Sequence, residues 1–254
     1  MTIKASHNGL TVVFNPKYHS YSVKETGQKL LAATRFISDF FPRFDTDNVA
    51  ARTGLKRGVD PEILKAEWKA KGEKAIIIGK EVHAQIESLV KIPKQTSYQF
   101  RVLGENEICE SDVVSIMQNK CLQAQESVNA LKRTSNLVEA EKIIFSPSIG
   151  IAGTVDCILQ HRSNPLQKII VDWKTNENLT ADNPWQTGLL PLEHLDNSNL
   201  NKYALQLSLY QYILESENYY PESTFDRLVV HIGEDFHSPY KIDYLKNEIE
   251  SMLI

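Results

Sequence analysis

Asp172 and Lys174 stand two residues apart at the end of an otherwise apolar, β-branched run, Lys168 to Trp173. Strand periodicity puts both side chains on one face. A second apolar run, Ile149 to Leu159, carries one acid, Asp156, and the polar stretch HRSNPLQ joins the two. Asn, Pro and Ser between two such runs predict a hairpin. Strand-borne carboxylates are hard oxygen donors, rigidly held, and suit Mg²⁺ or Mn²⁺. A lysine beside them can position a water or offset charge on a phosphate. With an ordinary pKa of about 10.4, it would act as a base only if locally depressed, so electrostatic positioning is the role assigned to it. The competing interpretation is an exposed ion pair on an edge strand, which contributes little.

A third chemical group lies upstream, in GKEVHAQIESLV. Val82, Ile86, Leu89 and Val90 form an apolar stripe at helical spacing, and His83 and Glu87, four apart, share another face. An imidazole added to two carboxylates moves the preference toward Mn²⁺. A lone helical histidine is more often structural, so His83 gains weight only in company.

The elements that must position these groups follow from the rest of the chain. Leu10 to Phe14 and Tyr18 to Val23 predict two short strands around Asn15-Pro16-Lys17. Thr34 is the expected cap of a short helix ending at Pro42. Phe36, Phe40, Phe41 and Phe44 are expected to pack rather than stack on bases. A helix is expected from Asp47 to about Leu55, then a long one from Pro61, capped by Asp60, to about Val90. Its lysines 65, 69, 71 and 74 form either a solvated face, with acids interleaved, or one wall of a phosphate-tracking groove. Gln95 to Leu103 predicts a strand, Ser111 to Leu131 a helix, and Val138 to Phe145 a strand carrying Glu139 and Glu141. Beyond the hairpin, Asn176 to Asn199 is irregular, the kind of segment that often carries function. Trp185, Leu189 and Leu190 suggest that it packs on the body. Asn201 to Glu215 is the clearest helix, with Tyr203, Gln206 and Tyr210 along one side. A strand over Arg227 to Ile232 and a helix over Asp243 to Leu253 close the chain.

With 254 residues, 42% of them hydrophobic and 24% charged, the chain can bury a substantial core. No run approaches the roughly 18 apolar residues of a membrane span. The N-terminus, MTIKASHNGL, lacks an apolar signal segment, so an intracellular, cytoplasmic location and no membrane partner are expected. A net charge of −4 disfavours indiscriminate binding to nucleic acid and leaves room for a local basic groove. Cys109, Cys121 and Cys157 form no CxxC pair, which argues against a zinc ribbon or a disulfide framework.

Taken in order, Gly79-x-x-x-His83-x-x-x-Glu87, Gly153-Thr154-Val155-Asp156, Asp172-Trp173-Lys174-Thr175 and Gln206-x-x-x-Tyr210 resemble the RecB-like branch of the PD-(D/E)xK nucleases. The GTVD and DWKT spellings most resemble the mitochondrial genome maintenance exonuclease and related phage exonucleases. The resemblance spans Gly79 to Leu214; each motif is weak alone, and the ordered set is specific. It implies an α/β fold with a central mixed sheet flanked by helices, residues 73–254, carrying an N-terminal hairpin and helical extension, residues 1–72, in one compact unit. It implies a metal held by His83, Asp156, Asp172 and the main-chain carbonyl of Trp173, with Lys174 as catalytic lysine. Gln206, Tyr210 and Thr175 would support the site or touch DNA. For the family's early acidic residue, Glu87 fits the spacing and is preferred over Glu139 and Glu141. Branch members with an iron–sulfur cluster use four cysteines; with three, no cluster is expected here. The implied activity is Mg²⁺- or Mn²⁺-dependent exonucleolytic cleavage of single-stranded DNA or DNA ends in recombination, repair or phage replication. A recombinase, a single-strand-binding protein or a helicase would be the natural protein partners. The alternatives are an endonuclease of the same fold and a non-catalytic DNA-binding module.

Overall fold

Alternating apolar residues and tight turns fold the first 32 residues into an antiparallel meander. Its strands are β1 (Ile3–His7), β2 (Leu10–Asn15), β3 (Ser20–Val23) and β4 (Lys29–Ala32). The computed structural model describes residues 2–92, 94, 111–179 and 186–254. Helices α1 (Ala33–Ser38), α2 (Thr46–Arg57), α3 (Pro61–Lys91) and α4 (Ser111–Thr134) come next. Strands β5 (Ser135–Ser146), β6 (Ile151–His161) and β7 (Asn164–Lys174) precede α5 (Asn199–Ser216), and β8 (Thr224–Ile232), β9 (His237–Ile242) and α6 (Lys246–Met252) finish the fold. The fold is α/β, with a mixed central sheet flanked by helices.

Several starts and stops follow local rules. Asp60 accepts from the Glu62 N–H ahead of Pro61, and Asp45 accepts from Asn48 at the head of α2. Gly58 closes α2 in the left-handed conformation, at φ 66°. The expected Thr34 cap does not form. The cap position falls two residues earlier, on Ala32, and the helix begins at Ala33 without a side-chain cap, because β4 feeds it directly. The central hairpin turns more tightly than HRSNPLQ suggested. Only Arg162 and Ser163 lie outside the strands, and Lys168 reaches back to the Gln160 amide and the Pro165 carbonyl, extending the ladder.

β6 is the centre of the sheet, and its pairing is unequal on its two edges. β5 covers one edge along its whole length, from Ser135↔His161 to Ser146↔Ile151. Two partners share the other edge. β7 pairs antiparallel with the far end, Cys157 to His161, while β4 pairs parallel with the near end through Leu31↔Ile151 and Ala32↔Ala152. Between them, Gly153 to Asp156 have no strand on that edge, and the sheet forks. β7 continues alongside β8 in parallel, Asp172 opposite Val229.

Helices cover both faces. α1, α5 and α6 pack Ile37, Leu205, Leu209 and Ile249 against Ile158, Ile170 and Val229. On the other face α3 and α4 pack Val82, Leu89, Met117 and Val128 against Cys157, Val171 and Trp173. Phe41 is buried, with Phe36 and Phe40 packed beside it, whereas Phe44 is exposed and meets Trp68 edge-on. The α3 lysines are matched by acids: Lys65 with Asp47 and Glu62, Lys71 with Glu177. That leaves a charge-balanced face.

β1 and β9 escape a strand search for a physical reason. Both are short edge strands with exposed side chains, and β9 holds Pro239, which only an edge tolerates. Leu179 and Leu192 anchor the irregular segment, while Leu189 and Leu190 are exposed. Trp185 and the Gln95–Leu103 strand lie outside the described residues. Residue 72 falls inside α3, so the 72/73 division cuts a continuous helix. No described helix is long and apolar enough to cross a membrane.

A Cβ on Gly153 would sit 2.5 Å from the Tyr210 ring. Gly153→Ala should therefore destabilise the fold by about 1–3 kcal/mol; an unchanged urea midpoint would refute this packing.

Candidate functional site

The fork is where the two faces of the sheet communicate. A pocket of about 200 Å³ opens there, with Asp156, Asp172, Lys174, Gln206 and Tyr210 on its walls together with Glu141. Extending the β6–β7 register by one pair sets Asp156 opposite Asp172. At this point the strands have separated, and the Trp173 N–H donates to Asp156 Oδ2 at 3.1 Å instead of to a backbone carbonyl. A side chain fills the vacated ladder position. This fixes the carboxylate and satisfies a buried donor at once.

His83 reaches the same carboxylate from α3, with Nδ1 3.4 Å from Asp156 Oδ2. Glu141 arrives from β5. It lies between the pairs Ala140↔Cys157 and Lys142↔Val155, hence across from Asp156, and has a left-handed φ of 52°. A non-glycine residue in that region inside a strand is strained and marks a constrained position. One donor atom each from His83, Glu141 and Asp156 falls within 4.8 Å of the others. Burial pushes the Glu141 carboxyl up to about 7, and the nearby Asp156 charge adds to the effect. These groups destabilise one another unless a cation sits among them.

Asp172 and Lys174 form the second half of the site. Asp172 is 2% exposed. Lys174 Nζ donates to its Oδ1 at 3.0 Å and lies 2.7 Å from Oδ2. Oδ2 is buried and accepts no well-directed hydrogen bond. Burial lifts the Asp172 carboxyl above the ordinary carboxylate range, against the pull of the Lys174 ammonium. Burial also works against the Lys174 charge, but the carboxylates of Asp172 and Asp156 outweigh it and hold the ammonium above the ordinary range. Its Nζ sits 4.5 Å over the Tyr203 ring, which favours the charged form further. From α5, the Gln206 amide approaches Asp172 Oδ1 at 3.4 Å and donates to the Tyr210 hydroxyl at 3.0 Å. Both are buried, because α5 packs one broad face on the sheet.

The remaining expected residues divide. Trp173 turns its indole to the far face, where Nε1 donates to Ser127 Oγ at 3.1 Å, and meets the site only through its backbone. Thr175 faces α3, its hydroxyl 3.3 Å from where a Gly79 Cβ would stand, and it does not line the pocket. Gly79 matters for this close approach. Glu87 lies outside the donor cluster and is paired with Lys91 one turn on. Glu141 occupies the place Glu87 was expected to take. The sequence offered both, and spacing from His83 favoured Glu87 because helical proximity is readable and a strand's left-handed kink is not.

Two braces also went unread. Buried Lys120 donates to the Thr175 carbonyl at 2.6 Å, and the ring Nε2 of His231 lies 2.7 Å from the Asn176 carbonyl. They hold consecutive carbonyls just past Lys174 and so fix the end of β7. Cys121 and Cys157 are free thiols buried in the α3–α4 core; burial pushes Cys121 up to about 12 and Cys157 higher. Neither belongs to the cluster's donor set.

Fold and site together define an α/β protein with an acidic, lysine-bearing pocket at a fork in its sheet. No protein-family model and no curated protein matches the chain.

The Glu141 carboxyl rises from 4.5 to about 7 on folding. Stability tied to it is fully present below the unfolded value and is lost as pH rises through the folded one. In EDTA, Glu141→Gln should therefore be more stable than wild type at pH 8, by on the order of 1–2 kcal/mol after solvent screening, with no gain at pH 4. Denaturant titration at the two pH values checks this, and a gain of equal size at both would contradict it.

Proposed function

We propose that this chain is a divalent-metal-dependent deoxyribonuclease of the RecB-like PD-(D/E)xK type, acting as an exonuclease on single strands or DNA ends. The observation that carries this reading is the meeting, at the fork, of a His83–Glu141–Asp156 donor cluster and the Asp172–Lys174 pair: Glu141 and Asp156 share the pocket with Asp172 and Lys174, and His83 reaches Asp156 from α3. Imidazole and carboxylate donors together fit Mn²⁺ or Mg²⁺. The raised Glu141 carboxyl and the Asp172 oxygen without a directed donor are both features that a bound cation would relieve. His83, Glu141 and Asp156 would hold the ion, with Asp172 beside them. Bound there, a divalent cation would polarise a phosphoryl oxygen and lower the pKa of a coordinated water.

The chain's own residues do the rest. Asp172 and the Tyr203 ring keep Lys174 protonated and aimed into the pocket, where it can donate to the attacking water or to a non-bridging phosphate oxygen. Gln206 orients Asp172, and Tyr210 supports Gln206 through its hydroxyl. The Trp173 N–H keeps Asp156 from rotating away. Lys120 and His231 act at one remove, by fixing the backbone that carries Lys174.

Substitutions should test these roles while keeping the side chains close to their original size. Asp172→Asn and Lys174→Met should each lower cleavage of end-labelled linear single-stranded DNA in Mn²⁺ by at least about a hundredfold. EDTA should abolish wild-type cleavage, and circular single-stranded DNA should stay intact. Near wild-type activity in either variant would defeat the assignment. Cutting of circles would favour an endonuclease, and DNA binding without any cleavage in Mn²⁺ would favour a binding module.

A further inference from the structure

The N-terminal meander brings to the pocket a side chain that no motif contains. His19 lines it with Tyr21, Ala32 and Thr34, on the lip of the fork formed by β3, β4 and the start of α1. Lys174, Gln206 and Tyr210 stand on the opposite lip. His19 closes the β2–β3 turn in the left-handed region, at φ 46°, a conformation uncommon outside glycine in which histidine is one of the enriched residues. Two rings set its orientation. Its imidazole meets Phe14 edge-on at 5.4 Å and Tyr21 at 5.9 Å. The Tyr21 hydroxyl in turn lies 3.2 Å from Thr154 Oγ1 on β6, in the unpaired stretch of the fork. The turn is thus tied to the pocket floor through Thr154, Tyr21 and His19 in succession.

The pocket's charge gives this lip a task. Glu141, Asp156 and Asp172 face a single lysine there, so a phosphodiester entering needs hydrogen-bond donors from elsewhere. His19 stands outside the set of converging metal-type donors, which leaves a ring N–H to offer a ligand.

Resting on the nuclease reading, we infer that His19 is a substrate-contacting residue. Its imidazole hydrogen-bonds a backbone phosphate of an unpaired strand, gripping it from the lip opposite Lys174. The N-terminal turn is then part of the substrate site.

The test compares wild type, His19→Ala and His19→Gln on a labelled single-stranded oligonucleotide. Cleavage is followed in Mn²⁺ and binding by fluorescence anisotropy in Ca²⁺. Loss of one such hydrogen bond predicts about a tenfold rise in KM and in Kd for His19→Ala, with kcat within about twofold. Gln, whose amide can replace one ring donor, should restore most of the affinity. His19 is exposed, so the melting temperature should not move. Unchanged KM and Kd in His19→Ala, or a fall in kcat with KM unchanged, overturns the inference and leaves the nuclease reading standing. A wild-type protein that neither cuts nor binds the oligonucleotide overturns both.

Discussion

A β-strand has two hydrogen-bonding edges, and β6 divides one of them between two partners. β7 takes one end of that edge and β4 the other; the residues between are left to side chains and to whatever occupies the gap. Everything in the site follows from this. Asp156 stands in for a missing backbone acceptor, and Tyr21 and Thr154 meet across the opening. Helices on opposite faces of the sheet, which a closed sheet would keep apart, both send side chains into one space. Unpaired strand edges inside a protein are costly. Here the cost is limited to a few residues and is offset by specific polar contacts.

The second organising force is electrostatic. Carboxylates from β5, β6 and β7 converge, and only Asp172 has a buried cation of its own. A buried ion pair is seldom a net source of stability, since desolvation absorbs most of the attraction. What the Asp172–Lys174 pair supplies is geometry, a lysine with one orientation and one charge state. The surrounding structure invests in the same outcome, through the Tyr203 ring below the ammonium and the carbonyl braces from Lys120 and His231.

Much of this was legible in the residues. The central hairpin, the long α3 helix with its Asp60 cap, and α5 all carry strong periodic or capping signals, and each forms where expected. The shared face of Asp172 and Lys174 followed from period two alone. What escaped was set by tertiary context. Glu141 reaches the cluster through a backbone kink that its side chain does not announce. Lys120 and His231 sit in a helix and a strand where a lysine or histidine is usually exposed. The fork depends on β4, four residues of plain strand sequence with nothing to reveal a parallel partner some 120 residues away.

The meander pairs with the central sheet through two residue pairs, Leu31↔Ile151 and Ala32↔Ala152, packs Val12, Tyr21 and Val23 on Ile143 and Phe145, and lines one side of the pocket. Its hairpin tip can lengthen, shorten or change composition without moving any carboxylate. The carboxylate cluster and the lip that faces it are therefore carried on separate parts of one sheet. Such an arrangement lets a lineage change its diet while keeping its teeth.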